Sequence, residues 1–298
     1  MTFPQFKDIK VSTKTFTAAT NLTIDIEALF NVLPVTPFTY IPKKRGRKKR
    51  DDSTDTINDV PEGSIVTIKY KGDLRGVDLK PQKSFKRKRW FRNSITIIIM
   101  LDKPVNYKIC RNGTFQMTGC KTDEHAKLCI KYTWQYIRHH TDVYSFRYKS
   151  GGLEALVIPS MRNIDFSLGF LVDREKLNRY MNTQDEFHCL LETCFGYTGV
   201  NIKIPNTKQL HTMKIHKLSW IDDEWRDYTT TYEEYLDLLP LREKEIKTSA
   251  VKYNTFLVFH SGKVIMSGLT YDFMKDVYDY FITIMRRCHA EIEECLDK

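Results

Sequence analysis

The sequence predicts an α+β fold of two pseudo-repeats, each an antiparallel sheet with helices. Three observations indicate this fold. Apolar residues alternate with polar ones over short segments such as 64–70 and 106–110, which is typical of half-buried strands. Two longer segments that begin at Thr122 and Thr270 carry apolar residues at helical spacing. Blocks of the first half recur in the same order in the second half, which indicates a duplication.

The clearest internal repeat is a hairpin that is followed at once by a helix. Residues 112–122 (NGTFQMTGCKT) align with residues 261–271 (SGKVIMSGLTY), and both glycines and the Met-Thr/Ser-Gly ending coincide. The Asn112-Gly113 pair predicts a tight turn, because both residue types tolerate the positive φ angles of short hairpins. A hydroxyl cap at Thr122, followed by two acids, predicts the start of the helix.

Charge and cysteine content narrow the class of protein. The 47 Lys and Arg residues outnumber the 37 Asp and Glu residues, giving +10 at neutral pH, and a basic chain attracts polyanions such as nucleic acid. Seven cysteines without a CxxC pair argue against a secreted disulfide framework. The N-terminus has no apolar signal core, and the longest apolar stretch, residues 97–101, is too short to cross a bilayer. We therefore expect a soluble, intracellular protein with no membrane partner.

Catalytic motifs are missing from the sequence. It has no nucleophile elbow, Walker loop, His-Glu-x-x-His motif or cluster of carboxylates. We therefore expect a protein that acts by binding, not an enzyme, and expect neither a cofactor nor a metal site.

A family resemblance rests on the second hairpin. Residues 255–268 (TFLVFHSGKVIMSG) are similar to the apolar-Phe-x-Ser-Gly-Lys-apolar-apolar-x-Thr-Gly hairpin of the TATA-box-binding protein family, and residues 109–119 (ICRNGTFQMTG) resemble it with more substitutions. The likeness covers most of residues 11–288, and the insertions resemble those of versions found in large DNA viruses. It implies a saddle, which is a curved antiparallel sheet with the helices on its convex face.

The resemblance also implies an organisation of the chain. The expected parts are an N-terminal tail (1–10), a first repeat (11–138), a linker (139–155) and a second repeat (156–298). Within the first repeat we expect a disordered insertion at about 41–60 and a basic loop at about 71–92, and within the second an insertion at about 205–250.

The implied function is that of a transcription initiation factor. Members of the family bind AT-rich double-stranded DNA in the minor groove, wedge aromatic rings between base steps and bend the duplex. The helices at residues 123–138 and 271–287 would recruit a factor-IIB-like protein and RNA polymerase. A nuclear location follows, or a cytoplasmic viral factory or virion if the source is a virus. The alternative is a protein-interaction scaffold of a transcription complex with weak or no sequence-specific DNA binding.

The resemblance assigns DNA binding to nine residues on the strands and hairpins of the two repeats: Phe259, Tyr197, Thr118, Ser267, Ile265, Gln116, Lys69, Lys203 and Lys263. Phe259 and Tyr197 match the wedge pair. The lysines match basic residues that contact phosphates, although a lysine keeps the charge without the bidentate geometry of arginine. Thr118 and Ser267 keep the hydroxyl that ends each return strand.

The first repeat departs from this pattern at the wedge positions. Cys110 occupies the position that corresponds to Phe259. The second position falls on Gly63 if residues 63–69 match the strand at 199–204, and on Ser94, with Phe91 nearby, if residues 95–101 match it. The sequence leaves these two registers open.

Two basic stretches have more than one interpretation. Residues 42–50 (PKKRGRKKR) fit a nuclear-import signal, a minor-groove hook around Arg45-Gly46-Arg47, or a solvated run of charge. Residues 83–92 (KSFKRKRWFR) combine cations with Trp90 and Phe91. They fit either phosphate contact with base stacking or the tip of an insertion that two aromatic residues anchor.

Overall fold

The computed structural model describes residues 3–39, 60–79, 91–148, 151–183, 188–192 and 199–294. The basic run 42–50, most of the basic stretch 83–92, and Tyr197 lie outside the described residues. What the sequence predicts for them stays a prediction.

The strands of the described residues are β1 (Val11–Thr20), β2 (Leu22–Ile24), β3 (Ile65–Tyr70), β4 (Asp73–Gly76), β5 (Ser94–Met100), β6 (Pro104–Cys110), β7 (Phe115–Cys120), β8 (Tyr144–Phe146), β9 (Gly152–Ser167), β10 (His188–Glu192), β11 (Gly199–Pro205), β12 (Lys214–Ile221), β13 (Glu224–Thr231), β14 (Tyr253–Phe259) and β15 (Lys263–Gly268). The helices are α1 (Ile26–Val32), α2 (Asp123–Ile137), α3 (Arg174–Asn182), α4 (Tyr232–Asp237), α5 (Leu241–Ser249) and α6 (Tyr271–Ile292). The chain divides into two compact units.

The first unit comprises Phe16–Val157 and Lys217–Tyr228. Its main sheet has the strand order β1-β7-β6-β5-β3-β4, and the strands from β7 to β4 pair in antiparallel fashion. Helices α1 and α2 contribute to the same buried cluster as these strands. Tyr107 of β6 shows how closely they pack, because its hydroxyl lies 2.9 Å from the Thr133 hydroxyl of α2 in the buried interior.

The second unit comprises Met1–Thr15, Ile158–His216 and Thr229–Lys298. Its strands lie in the order β10-β11-β14-β15-β9, and all four neighbouring pairs are antiparallel. Helices α3 and α6 share the buried cluster of this sheet. Phe256 of β14 stacks on Phe281 of α6, with ring centroids 4.0 Å apart and planes within 8° of parallel.

The two units share one order of elements. Other elements lie between some of the matching ones. The matching elements of the second unit come in the order β9, α3, β10, β11, β14, β15 and α6, and those of the first come in the order β1, α1, β3, β5, β6, β7 and α2. The neighbours of each strand also correspond. The predicted α+β class is therefore confirmed, and the arrangement is consistent with the fold that the resemblance implied.

Strand pairing decides the register that the sequence left open. Gly199 pairs with Phe259, and Ser94 pairs with Cys110, so β5 corresponds to β11. Since β3 then corresponds to β10, Lys69 and Lys203 do not occupy equivalent positions. Counting from Gly199 and Ser94, the counterpart of Lys203 is Ile98.

The repeated hairpins turn on glycines that no other residue could replace without strain. Gly113 has a φ of +68° and Gly262 a φ of +73°, a left-handed conformation that glycine adopts readily. A Cβ at Gly113 would also lie 2.2 Å from the carbonyl oxygen of Leu22, and a Cβ at Gly262 would lie 2.1 Å from that of Phe170. The helix after the first hairpin begins as predicted, with the Thr122 hydroxyl accepting from the His125 amide at 3.4 Å.

The parts of the chain differ from the expected ones at the N-terminal tail, the basic loop, the linker and the second insertion. The expected basic loop at 71–92 contains β4, and the expected linker at 139–155 contains β8 and the start of β9. The expected N-terminal tail packs into the second unit, since Phe6 is buried in its core and the Tyr278 hydroxyl donates to the Pro4 carbonyl at 2.6 Å. The expected insertion at 205–250 contains β12, β13, α4 and α5, and its Lys217–Tyr228 segment belongs to the first unit. Polar residues dominate this segment, but Leu218 lies in the first core.

Candidate nucleic-acid interface

Each sheet has a core face and an opposite face, which we call the outer face. On β15, Val264 and Met266 are buried in the core, whereas Lys263, Ile265 and Ser267 alternate with them and point the other way. The same alternation runs along the neighbouring strands of both units. The outer faces are therefore the two surfaces on which the predicted DNA-binding residues can be compared.

The outer face of the second unit carries an apolar patch. Leu257 of β14 lies directly opposite Asn201 of β11 and Ile265 of β15, and side chains of directly opposed residues are in contact range. Phe259 follows on the same face of β14 and is only partly buried. Three large apolar side chains are thus presented together beside polar neighbours.

A glycine makes room for this patch. Phe259 is paired with Gly199, and a Cβ at Gly199 would lie 2.7 Å from Cδ1 of Leu257. The missing side chain at Gly199 leaves room for Leu257 against β11. A larger residue at Gly199 would displace Leu257.

Cations and hydroxyls border the apolar patch of the second unit. Lys203 and Lys263 are exposed, and Ser267 lies opposite Thr255 and Asn163. One acid stands among them, because the exposed Asp165 of β9 lies opposite Ile265. Such a mixture of apolar, hydroxyl and basic side chains suits contact with bases, sugars and phosphates.

The outer face of the first unit is more polar. Lys108 of β6 lies between Thr96 of β5 and Gln116 of β7, and Asn106 lies opposite Thr118. The Thr118 hydroxyl donates to the Asn106 carbonyl at 3.2 Å, and both Gln116 and Thr118 are exposed. This strip offers hydrogen-bonding groups and one cation.

Part of the outer face of the first unit is covered by the chain itself. Val66, Ile98 and Met100 point away from the main core but are buried, and among the described residues Phe38, Val60 and Leu79 pack against them. We call these three covering residues the apolar cap. Lys69 is also engaged here, because its ammonium pairs with the Asp78 carboxylate at 2.5 Å.

Cys110 occupies the position of Phe259 in the first unit, as the sequence predicted. It is half-buried at the end of β6. Burial raises the pKa of its thiol, and the nearby Lys108 ammonium opposes that shift. A small, mainly protonated thiol cannot separate two stacked bases as an aromatic ring can.

All eight predicted residues that the structure describes lie on outer faces, and the ninth, Tyr197, lies outside the described residues. Ile265, Ser267 and Lys263 share β15, and Gln116 and Thr118 share β7. The sequence alternation placed Leu257 on the face of Phe259, but Leu257, Asn201, Asp165 and Lys108 were not predicted to bind DNA. The same alternation would have placed the other three on outer faces, but the cross-strand partners could not be known.

The two helices predicted to recruit partners differ in what covers them. On α2, Lys127 is buried and pairs with Asp227 at 2.6 Å. Just after the end of α2, the Arg138 guanidinium lies 5.3 Å from the ring centroid of Trp220. Both partners belong to the Lys217–Tyr228 segment of the first unit. On α6, Tyr271 and Tyr280 remain 36% and 38% exposed.

The described residues contain neither a metal-binding cluster nor a helix that could span a membrane. No group of three or more His, Cys, Asp or Glu residues among them could hold a metal ion. None of their helices is both long and apolar enough to span a bilayer.

Proteins similar to this chain include a viral protein and a solved TBP structure. No family model matches the chain. Uncharacterized protein 335L of Invertebrate iridescent virus 6 is 25% identical over 209 residues, which is 66% of this chain and 60% of that protein, so the chain spans less than two thirds of its relative. Among solved structures, Methanococcus jannaschii TBP is similar with a TM-score of 0.42 and 12% identity, over 95% of this chain and 99% of that one.

Proposed function

We propose that this protein is a TATA-box-binding-protein-like transcription initiation factor that binds and bends promoter DNA through the minor groove. The observation that carries the proposal is the outer face of the second unit, where Phe259, Leu257 and Ile265 form an apolar patch beside the exposed Lys203 and Lys263. Apolar wedges that unstack base steps, flanked by cations that neutralise phosphates, are the means by which minor-groove proteins bend duplexes. No chemistry on the DNA is part of this function.

We expect the protein to select DNA sequences by how easily the duplex deforms, more than by hydrogen bonds to the base edges. The minor groove offers a degenerate code that separates A·T from G·C pairs. Flexible pyrimidine–purine steps deform at low cost, so AT-rich duplexes that contain TA steps are the expected targets. The acid at Asp165 lowers the attraction of the face for phosphates, and the affinity depends correspondingly on the two lysines.

Recruitment of transcription proteins is the second part of the proposal. Because the Lys217–Tyr228 segment occupies part of the surface of α2, the more accessible α6 is the main contact for a factor-IIB-like protein and RNA polymerase. Action in the nucleus, or in a viral factory if the chain is viral, completes the proposal. The viral relative supports the second of these locations.

A gel-mobility-shift series tests DNA binding. AT-rich and GC-rich duplexes of equal length are titrated with the protein at increasing salt, and the expected result is tighter binding to the AT-rich duplex with an affinity that falls steeply with salt. The control is the Lys203→Gln, Lys263→Gln double variant, which should bind more weakly. No retardation at the lowest salt would reject DNA binding, and equal binding of both duplexes would reject the preference for AT-rich sites.

The alternative is a protein-interaction scaffold with weak DNA binding, and a specific observation favours it. The apolar cap and Cys110 leave the first unit without the apolar patch of the second. A purified factor-IIB-like protein that binds the chain, together with a duplex that is not retarded, would support this alternative. Loss of that binding in a Tyr280→Ala variant, with a Tyr228→Ala variant as control, would place the contact on α6.

A further inference from the structure

Phe91 is a large apolar side chain that the fold leaves in solvent. It precedes β5 and is 71% exposed. Single exposed apolar residues are common on protein surfaces, so exposure alone assigns no role. Two features distinguish Phe91 from other exposed apolar residues. It lies on the outer face of the first unit, and its ring packs over the Lys108 ammonium.

The ring of Phe91 lies over a cation on the outer face. Lys108 points to that face because its neighbours Tyr107 and Ile109 are buried in the core. The Lys108 ammonium lies 4.4 Å from the centroid of the Phe91 ring, within the range of a cation–π contact. One face of the ring therefore lies over the Lys108 ammonium, while the side chain as a whole stays largely exposed.

The backbone around Phe91 is tied to the end of the sheet. The Asn93 carbonyl accepts from the Arg111 amide at 3.0 Å, and Ser94 pairs with Cys110. This is the end of β5 and β6 that corresponds to the Gly199–Phe259 end of the second unit. Phe91 thus brings an aromatic ring to the end of the first sheet. At this end Cys110 occupies the position that corresponds to Phe259.

We propose that Phe91, supported by Lys108, is the base-stacking contact of the first unit. This inference rests on the proposed function and deepens it by naming the residue with which the first unit engages a base step. A phenyl ring offers a face on which any base stacks, while Lys108 and the exposed Arg92 and Arg111 supply charge for the flanking phosphates. The contact comes from a residue before the strand, not from the strand end that Phe259 occupies.

The test uses the full chain and AT-rich duplexes in which 2-aminopurine replaces adenine at successive positions. Fluorescence of 2-aminopurine rises when its base is unstacked. We expect the wild-type protein to raise it at two separate positions. The Phe91→Ala variant should lose one signal and the Phe259→Ala variant the other. Phe91→Ala should also weaken binding about 5- to 150-fold, the loss of one base–aromatic contact.

Three control variants complete the design. Leu241→Ala removes an apolar side chain that is equally exposed, at 73%, but lies on α5, and it should change neither signal. Phe91→Leu keeps apolar volume without a π-face, so it should retain less of the signal than wild type and more than Phe91→Ala. Lys108→Gln should weaken binding and reduce the same signal as Phe91→Ala. Since Phe91 and Lys108 lie on the surface, the thermal melting of these variants should match that of the wild type.

The outcomes separate this inference from the proposed function. If wild type and Phe91→Ala bind with equal affinity and give the same two signals, Phe91 only anchors the neighbouring segment and the inference is overturned while DNA binding stands. If the wild type fails to bind any duplex, the proposed function and this inference both fall.

Discussion

The outer faces of the two units differ although their sheets share one strand order. In the second unit, Leu257, Ile265 and Phe259 remain partly exposed between two lysines. In the first unit, Val66, Ile98 and Met100 are buried beneath the apolar cap. The core faces of a duplicated fold stay alike because both must bury apolar side chains, whereas the outer faces can diverge because folding does not require them to be alike.

The lysines of the two outer faces also differ in how accessible they are. Lys203 and Lys263 of the second unit are exposed, whereas Lys69 of the first is paired with Asp78. An ammonium that already has a carboxylate partner gains less from a phosphate. We infer that the second unit provides most of the DNA contact and that the first contributes through a narrower polar strip and Phe91.

The largest expected effect is on stability, and it distinguishes the covered outer face of the first unit from the accessible one of the second. Ile98→Ala removes a side chain that is 7% exposed and should lower the free energy of unfolding by about 2–5 kcal/mol. Ile265→Ala removes a partly exposed one and should cost less than about 1 kcal/mol. Urea unfolding followed by circular dichroism measures both.

Binding should show the reverse order. Ile265→Ala should weaken DNA binding, while Ile98→Ala should leave it unchanged under conditions in which the variant is folded. Weaker binding by folded Ile98→Ala would mean that DNA displaces the apolar cap, and the contrast between the two faces would be lost.

A smaller effect concerns the two corresponding wedge positions. Phe259→Ala should reduce DNA bending, measured by fluorescence transfer between dyes at the duplex ends, and weaken binding about 5- to 150-fold. Cys110→Ala is the matched control in the first unit and should change neither quantity. Unchanged bending by Phe259→Ala would reject its assignment as a wedge.

The smallest effect is on salt dependence. Replacing Lys203 or Lys263 by glutamine should reduce the slope of log K against log salt by about 0.9 for each lysine. Lys69→Gln should reduce it by less, because Asp78 already neutralises that ammonium. Equal reductions by all three variants would show that the ion pair opens on binding and that the first unit contributes phosphate contacts too.

Some of these features could be predicted from the sequence, and others could not. The Asn112-Gly113 turn and the Thr122 cap are local, since each depends on residues a few positions apart. The correspondence of β5 with β11 is not local: both β3 and β5 are apolar, alternating segments, and only their pairing partners distinguish them. The role of the Lys217–Tyr228 segment was missed for the same reason, because its contacts with α2 join residues far apart in the chain.

The sequence by itself determined the α+β class, the duplication and the alternation that assigns each strand residue to one of two faces. Those features follow from backbone geometry, turn chemistry and the burial of apolar side chains, which act over short stretches of chain. Only the tertiary structure decided which outer face stays accessible. The apolar cap over Ile98, the pairing of Lys69 with Asp78 and the placement of Phe91 over Lys108 all depend on packing between segments whose separation along the chain carries no periodic signal.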